Sequence, residues 1–212
     1  MSGPSTTGPS GPYARDDKVI KPITIEQIMP FAQWERLRPV LRPLFIHEKE
    51  RRRLRVGEHL TFLFENALSV WYQVEEMLRV ERITAQDAIE HELETYNDLL
   101  PREDELSATM LIEYEDAAER DAALKTLVGF ERHVHLIAGD RKISPIFAQA
   151  QIATDAVSAV QFVRFPLPRG LGEKLVELAT AGKLAIEVDH PSMSAKATIG
   201  VDLAKSLLED IR

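Results

Sequence analysis

The chain has 212 residues, 44% of them hydrophobic and 28% charged, which suits one large globular domain or two small ones. It contains no cysteine, which excludes disulfides, thiolate catalysis, Cys-ligated zinc and protein-held iron–sulfur clusters and fits a cytoplasmic setting. A net charge of -8 argues against nucleic-acid binding, no apolar run approaches the roughly 20 residues that span a membrane, and no charged-then-apolar export signal opens the chain.

Met1 to Asp17 (MSGPSTTGPSGPYARDD) is rich in Gly, Pro, Ser and Thr and reads as a disordered tail. Residues 18–105 read as a helical region. Thr24 and Gln27 make a capping-box start for a short helix that Pro30 limits, and Phe31 to Arg38 continues it loosely. Pro39 and Pro43 are expected to break the Arg-rich stretch that follows into turns or short helical pieces. Ile46 to Arg55 is helical by propensity, and Gly57 punctuates the boundary with the next helix or interrupts a longer one.

Gly57 to Arg82 reads as a long central helix, with Leu60, Phe64, Ala67, Trp71, Val74 and Leu78 at alternating four- and three-residue steps. Thr84 and Asp87 open a further helix over about Ala85 to Asn97. Residues 106–212 then read as a sheet region, able to form one compact unit with the first. Strands are expected at Ala108–Tyr114, in HVHLIAG, KISPIFA and AVQFVRFPL, and in KLAIEVDH and MSAKATI. Helices are expected after Asp116, in GLGEKLVELATAG up to Gly182, and from Asp202 to Ile211. The fold class is α+β, a helical N-terminal half followed by a mixed or antiparallel sheet with two or three helices.

Glu65 and Asn66 interrupt the apolar run of the central helix, and a carboxylate buried there must be paired or protonated. With Tyr72, Glu76 and His91 they form the candidate polar site. The alternatives for Glu65 are an ion pair with an arginine such as Arg52 or Arg79, or an open cavity. The basic run, which includes Arg51, Arg52, Arg53 and Arg55, offers guanidinium forks for an anion; the competing reading is neutralisation by Glu75, Glu76, Glu81, Glu90, Glu92 and Glu94. Asp87, His91, Glu94 and Asp98 share a helical face that can hold iron, manganese or zinc, or simply be a solvated acidic face. His133 and His135 share a strand face, with Asp189 or His190 able to add a third metal ligand; the favoured reading is a half-exposed polar strand face. RGLGEK from Arg169 can bind an anion or simply begin a helix, and Phe162 and Phe165, three apart, face opposite sides of their strand.

The segments HEKERRR, GEHLTFLFENALSVWYQVEEMLRVER and ELETYNDLLP, with Phe64-Glu65-Asn66, Gln73, Glu76-Met77, Arg79, Glu81, Tyr96-Asn97 and Pro101 as their most specific parts, resemble a bacterial domain-of-unknown-function family of similar length. The resemblance implies genes encoded beside a rubrerythrin-like protein and an iron–sulfur oxidoreductase subunit, hence an accessory role in peroxide or redox metabolism with those proteins as partners. The expected function is a cytoplasmic accessory protein, able to self-associate through the central helix. The rival is an enzyme using a His/carboxylate metal or small-anion site on that helix, drawing on Glu65, Glu76, His91 and His47.

Overall fold

The computed structural model describes residues 21–148 and 155–211. The tail expected over Met1–Asp17 lies outside them. The first half of the chain forms α1 (Phe31–Arg51), β1 (Arg53–Val56), β2 (Leu60–Phe64), α2 (Ala67–Glu81) and α3 (Gln86–Asn97). The second half forms β3 (Glu105–Ile112), α4 (Ala117–Thr126), β4 (Val134–Ala138), β5 (Arg141–Ile143), β6 (Ile146–Phe147) and β7 (Val160–Pro166). It ends with α5 (Leu175–Thr180), β8 (Leu184–His190), β9 (Met193–Thr198) and α6 (Val201–Ile211). The architecture is α+β with two antiparallel sheets, β1-β2-β3-β7-β6 and β5-β4-β8-β9. No helix among the described residues is long and apolar enough to cross a membrane.

Three local expectations are overturned, besides the helix expected over Ile46 to Arg55, which ends at Arg51 and gives way to β1 from Arg53. Helix α1 runs unbroken through Pro39 and Pro43. Each ring removes a backbone hydrogen bond to the residue four before it, but Glu35, Pro39 and Pro43 are all exposed, so the freed carbonyls lie on the solvent side of the helix. The opposite side of α1 buries Trp34, Phe45 and Glu48, and this anchorage keeps the helix whole. The KISPIFA stretch is not one strand: Ser144-Pro145 divides it between β5 in one sheet and β6 in the other.

The third correction concerns the central helix. Its first part is the strand β2, which pairs with β1 from Arg53 opposite Leu63 to Val56 opposite Leu60, and with β3 from Leu60 opposite Ile112 to Phe64 opposite Ala108. The helical part, α2, begins only at Ala67. Every residue of β2 is buried, because the strand lies inside the sheet and is covered on both faces. The pairing of β2 with β3 places strands from the first and second halves of the chain in one sheet.

Gly57 makes the β1–β2 turn at φ 68°, and a Cβ built there stands 2.9 Å from the Cβ of Ala195 on β9. The two sheets meet at this point. Gly57→Ala is expected to cost about 1–2 kcal/mol for the left-handed backbone, plus the contact, read as a lower urea midpoint with an unchanged circular-dichroism spectrum.

The larger core joins the inner faces of both sheets to α4, α5 and α6, with Phe62, Met110, Phe165, Leu136, Ile186 and Leu207 at its centre. On the outer face of the first sheet a second cluster packs α2 and α3 through Val70, Val74, Leu78 and Leu93. Trp34, Phe45 and Tyr72 fix α1 against α2. The candidate site lies where this helical layer covers the sheet.

Candidate functional site

Asn66 caps α2 reciprocally with Ser69: the Asn66 side-chain oxygen accepts from the Ser69 N–H at 2.8 Å, and the Ser69 hydroxyl accepts from the Asn66 N–H at 3.0 Å. The Asn66 amide also donates to Glu48 at 2.8 Å. This cap turns the chain from β2 into α2 and leaves Glu65, 1% exposed, at the junction. The Glu65 carboxylate accepts from Thr109 Oγ1 on β3 at 2.6 Å, from Gln73 Nε2 at 3.0 Å and from the Ser69 hydroxyl. Three neutral donors therefore surround it. An arginine does reach Glu65, but at its main-chain oxygen, which accepts from Arg52 Nη2 at 3.1 Å.

The other candidate residues are distributed differently. Glu76 receives both nitrogens of the Arg38 fork at 2.6 and 2.8 Å, with Trp34 Nε1 at 3.2 Å and Arg79 Nε at 3.3 Å. Burial pushes its carboxyl up, but Arg38 and Arg79 bring it below the usual carboxylate range. Tyr72 stacks on Phe45 with ring centroids 4.2 Å apart and carries Lys49 over its face at 5.7 Å. A groove of about 410 Å³ brings Tyr72, Gln73 and Glu76 together with Lys49 and Tyr96. His91 does not line it; its side chain is exposed on α3 beside exposed Asp87, Glu94 and Asp98.

Within the basic run, Arg52 is a structural hub. Only 1% exposed, it donates to the main-chain oxygens of Phe64 at 2.9 Å and Ser206 at 3.0 Å, to Ser206 Oγ at 2.7 Å and to the Asp210 carboxylate. Burial pushes the Asp210 carboxyl up to about 6, with Arg52 opposing that rise. Arg51 pairs with Glu48 and Glu209, Arg53 lies 3.3 Å from Glu50, and Arg55 is exposed on β1. The expected neutralising partners on neighbouring helices contribute only Glu76; α1 and α6 supply the others.

His133 and His135 converge on Asp189 Oδ1, at 2.9 and 3.6 Å. Lys142 holds the other oxygen at 2.7 Å, and Lys142 first, then His133, lower the Asp189 carboxyl to about 2. Burial and Lys142 lower His135. Among the described residues no three His, Asp or Glu side chains form a group that could hold a metal ion.

Two further cavities flank the helical layer. The larger, about 460 Å³, lies between α3 and the first sheet and is lined by Tyr96, Leu99, Ser107, Ile146, Phe162 and Arg164, with Arg102, Thr95, Glu92, Asp98 and Ala148. Its floor residue Ser107 is the neighbour of Glu65, whose N–H donates to the Ser107 carbonyl at 2.8 Å. Arg164 Nε stands 3.8 Å from Glu105 Oε1, a buried oxygen without a hydrogen-bond partner among the described residues. The smaller cavity holds Glu75, 2% exposed, whose carboxyl burial pushes up to about 7. Glu75 carried a readable signal: it stands four residues after Trp71 and three before Leu78, inside the apolar stripe. Arg102 and Arg164 carried none, since what unites them is a cleft built by long-range pairing.

The family described as "protein of unknown function (DUF3501)" matches residues 22–211. The chain belongs to this family. A crystal structure of a novel protein of unknown function from Burkholderia pseudomallei K96243 superposes with a TM-score of 0.81 and is 34% identical, covering 91% of this chain and 100% of that one. Among curated proteins there is no match. The DUF3501 match takes in the whole helical layer, both sheets and every candidate residue named above.

Proposed function

We propose that this DUF3501 protein is a small-molecule-binding accessory protein whose α3–sheet cleft takes a compact apolar compound bearing one acidic group. The observation that carries this reading is the lining of that cleft. Tyr96, Phe162, Leu99 and Ile146 form apolar and aromatic walls, and two guanidinium groups lie beside them, Arg102 in a loose 3.6 Å pair with Asp98 and Arg164 3.8 Å from Glu105, so that an incoming anion competes with long contacts only. Its volume of about 460 Å³ falls in the range of roughly 300–1,000 Å³ that suits small ligands. Arginine forks match carboxylate and sulfonate geometry, and the hydroxyls of Ser107 and Tyr96 can orient the remainder. The cytoplasmic accessory role beside peroxide-reducing and iron–sulfur proteins, implied by the family resemblance, is the proposed setting, and co-purification with those proteins tests it.

The binding test uses 1-anilinonaphthalene-8-sulfonate, an amphipathic anion whose fluorescence rises in an apolar site. It is expected to bind one per chain. Arg102→Ala, at an exposed position that leaves the core intact, is expected to weaken binding about tenfold, the size of one charge-assisted contact of roughly 1.4 kcal/mol. Thr95→Trp is expected to abolish binding by filling the cleft. Unchanged affinity in both variants overturns the proposal.

A further inference from the structure

The second cavity holds a carboxyl that no cationic side chain among the described residues pairs with. Glu75 on α2 is 2% exposed, and one of its oxygens accepts a single hydrogen bond, from the Met29 N–H at 2.7 Å. The other takes no hydrogen bond from any described residue, and Glu75 lines a cavity of about 270 Å³ walled by Met29, Phe31, Trp34, Leu78 and Ile89. The charged groups around it are already balanced. Arg38 pairs with Glu76, and Arg79, which also lines the cavity, lies 3.3 Å from Glu76 and 3.8 Å from Glu35. Two arginines thus answer two glutamates, and Glu75 stands outside the network.

A bond from one backbone N–H needs only an acceptor, which a glutamine supplies without the cost of burying an ionisable group. A carboxylate facing an apolar cavity instead suits a cation that brings its own apolar body, because burial of the pair strengthens their attraction. The indole of Trp34 adds an aromatic surface of the kind that favours ammonium groups. The cavity is smaller than the range typical of drug-sized ligands, so the occupant is small.

We propose that the cavity between the segment before α1, α2 and the start of α3 binds a small primary ammonium with an apolar body, with Glu75 as its counter-ion. This site is separate from the α3–sheet cleft, and its occupant has the opposite charge. Glu75 ionises with a midpoint of about 7, raised first by burial and further by Glu76, so the ammonium must displace its proton under mildly acidic conditions.

Isothermal titration with hexylammonium chloride, hexan-1-ol and sodium hexanoate tests the assignment. Hexylammonium is expected to bind one per chain, about tenfold more tightly at pH 8 than at pH 6, because the ionised fraction of a group with midpoint near 7 rises by about that factor. At pH 6 binding is expected to release close to one proton per ligand, seen by comparing buffers of different ionisation enthalpy. Glu75→Gln, which keeps the acceptor for Met29, is expected to weaken hexylammonium at least tenfold at pH 8 and leave hexanol unchanged. The proposal is overturned if hexanol or hexanoate binds as tightly as hexylammonium, or if Glu75→Gln has no effect. Absence of proton release in the wild-type protein overturns it without recourse to any variant.

Discussion

Replacing Arg52 by alanine is expected to destabilise the protein by about 3–5 kcal/mol, the loss found when one partner of a buried ion pair is removed. The guanidinium satisfies the main-chain oxygens of Phe64 and Glu65 at the end of β2, and Ser206 and Asp210 on α6. It ties the N-terminal strands to the C-terminal helix across 158 positions of sequence. Without it, Asp210, already pushed up to about 6 by burial, loses the attraction that opposes protonation. Its folded-state value lies above the ordinary 3.8, so the folded protein binds more protons than the unfolded chain between those values, and stability falls as pH rises through that window. Removing Arg52 extends the window upward. Urea unfolding of Arg52→Ala against wild type is therefore expected to show a larger deficit at pH 8 than at pH 5. Arg52→Lys should recover only part of it, since an ammonium has three donors and no planar fork. A deficit below 1 kcal/mol would mean that α6 docks without this hub.

The sequence carries most of the fold and little of the site, for reasons visible in single residues. Strands β3, β7, β8 and β9 and the Asp116 cap of α4 are legible because alternation and capping act locally; Asp116 accepts from the Glu119 N–H at 2.8 Å as its spacing implies. Strand β2 is not, because LTFLF carries one polar residue, Thr61, and so lacks the polar–apolar alternation that Glu105, Ser107 and Thr109 give β3, and Leu60 and Phe64 happen to stand four apart as on a helix. The local counter-signals were Gly57 between two short runs, and Asn66 with Ser69 as a helix start. The basic run shows the same limit. Arg51, Arg52 and Arg53 are consecutive, yet one meets Glu209, one meets Asp210 and one meets Glu50. Only the placement of α6 against α1 and β3 separates those fates. Likewise, His91 shares a helical face with acids but no surface with Glu65, and Thr109, the partner that defines the Glu65 environment, is 44 residues away.

Glu65 is the second test with a large expected effect, and the contrast between two substitutions defines its role. Glu65→Ala removes an acceptor shared by Thr109, Ser69 and Gln73 and leaves a cavity at the β2–α2 junction. Ser69 and Gln73 have alternatives: the Ser69 hydroxyl lies 3.2 Å from the Asn66 carbonyl, and the Gln73 amide 3.2 Å from the Ser69 carbonyl. Thr109 has none among the described residues and is buried. The expected loss is about 2–4 kcal/mol, combining an orphaned hydroxyl with a cavity, which for a chain of this size lowers the melting temperature by roughly 5–15 °C. Glu65→Gln keeps the shape and one acceptor oxygen, and the hydroxyls can rotate to accept from its amide, so it is expected to cost no more than about 1 kcal/mol. Adding Thr109→Val to Glu65→Ala removes the orphaned hydroxyl and should return about 1 kcal/mol. That recovery identifies Glu65 as the acceptor that fastens α2 to β3. If Glu65→Gln instead destabilises as much as Glu65→Ala, the negative charge itself is required, and the junction depends on a cation rather than on its three neutral donors.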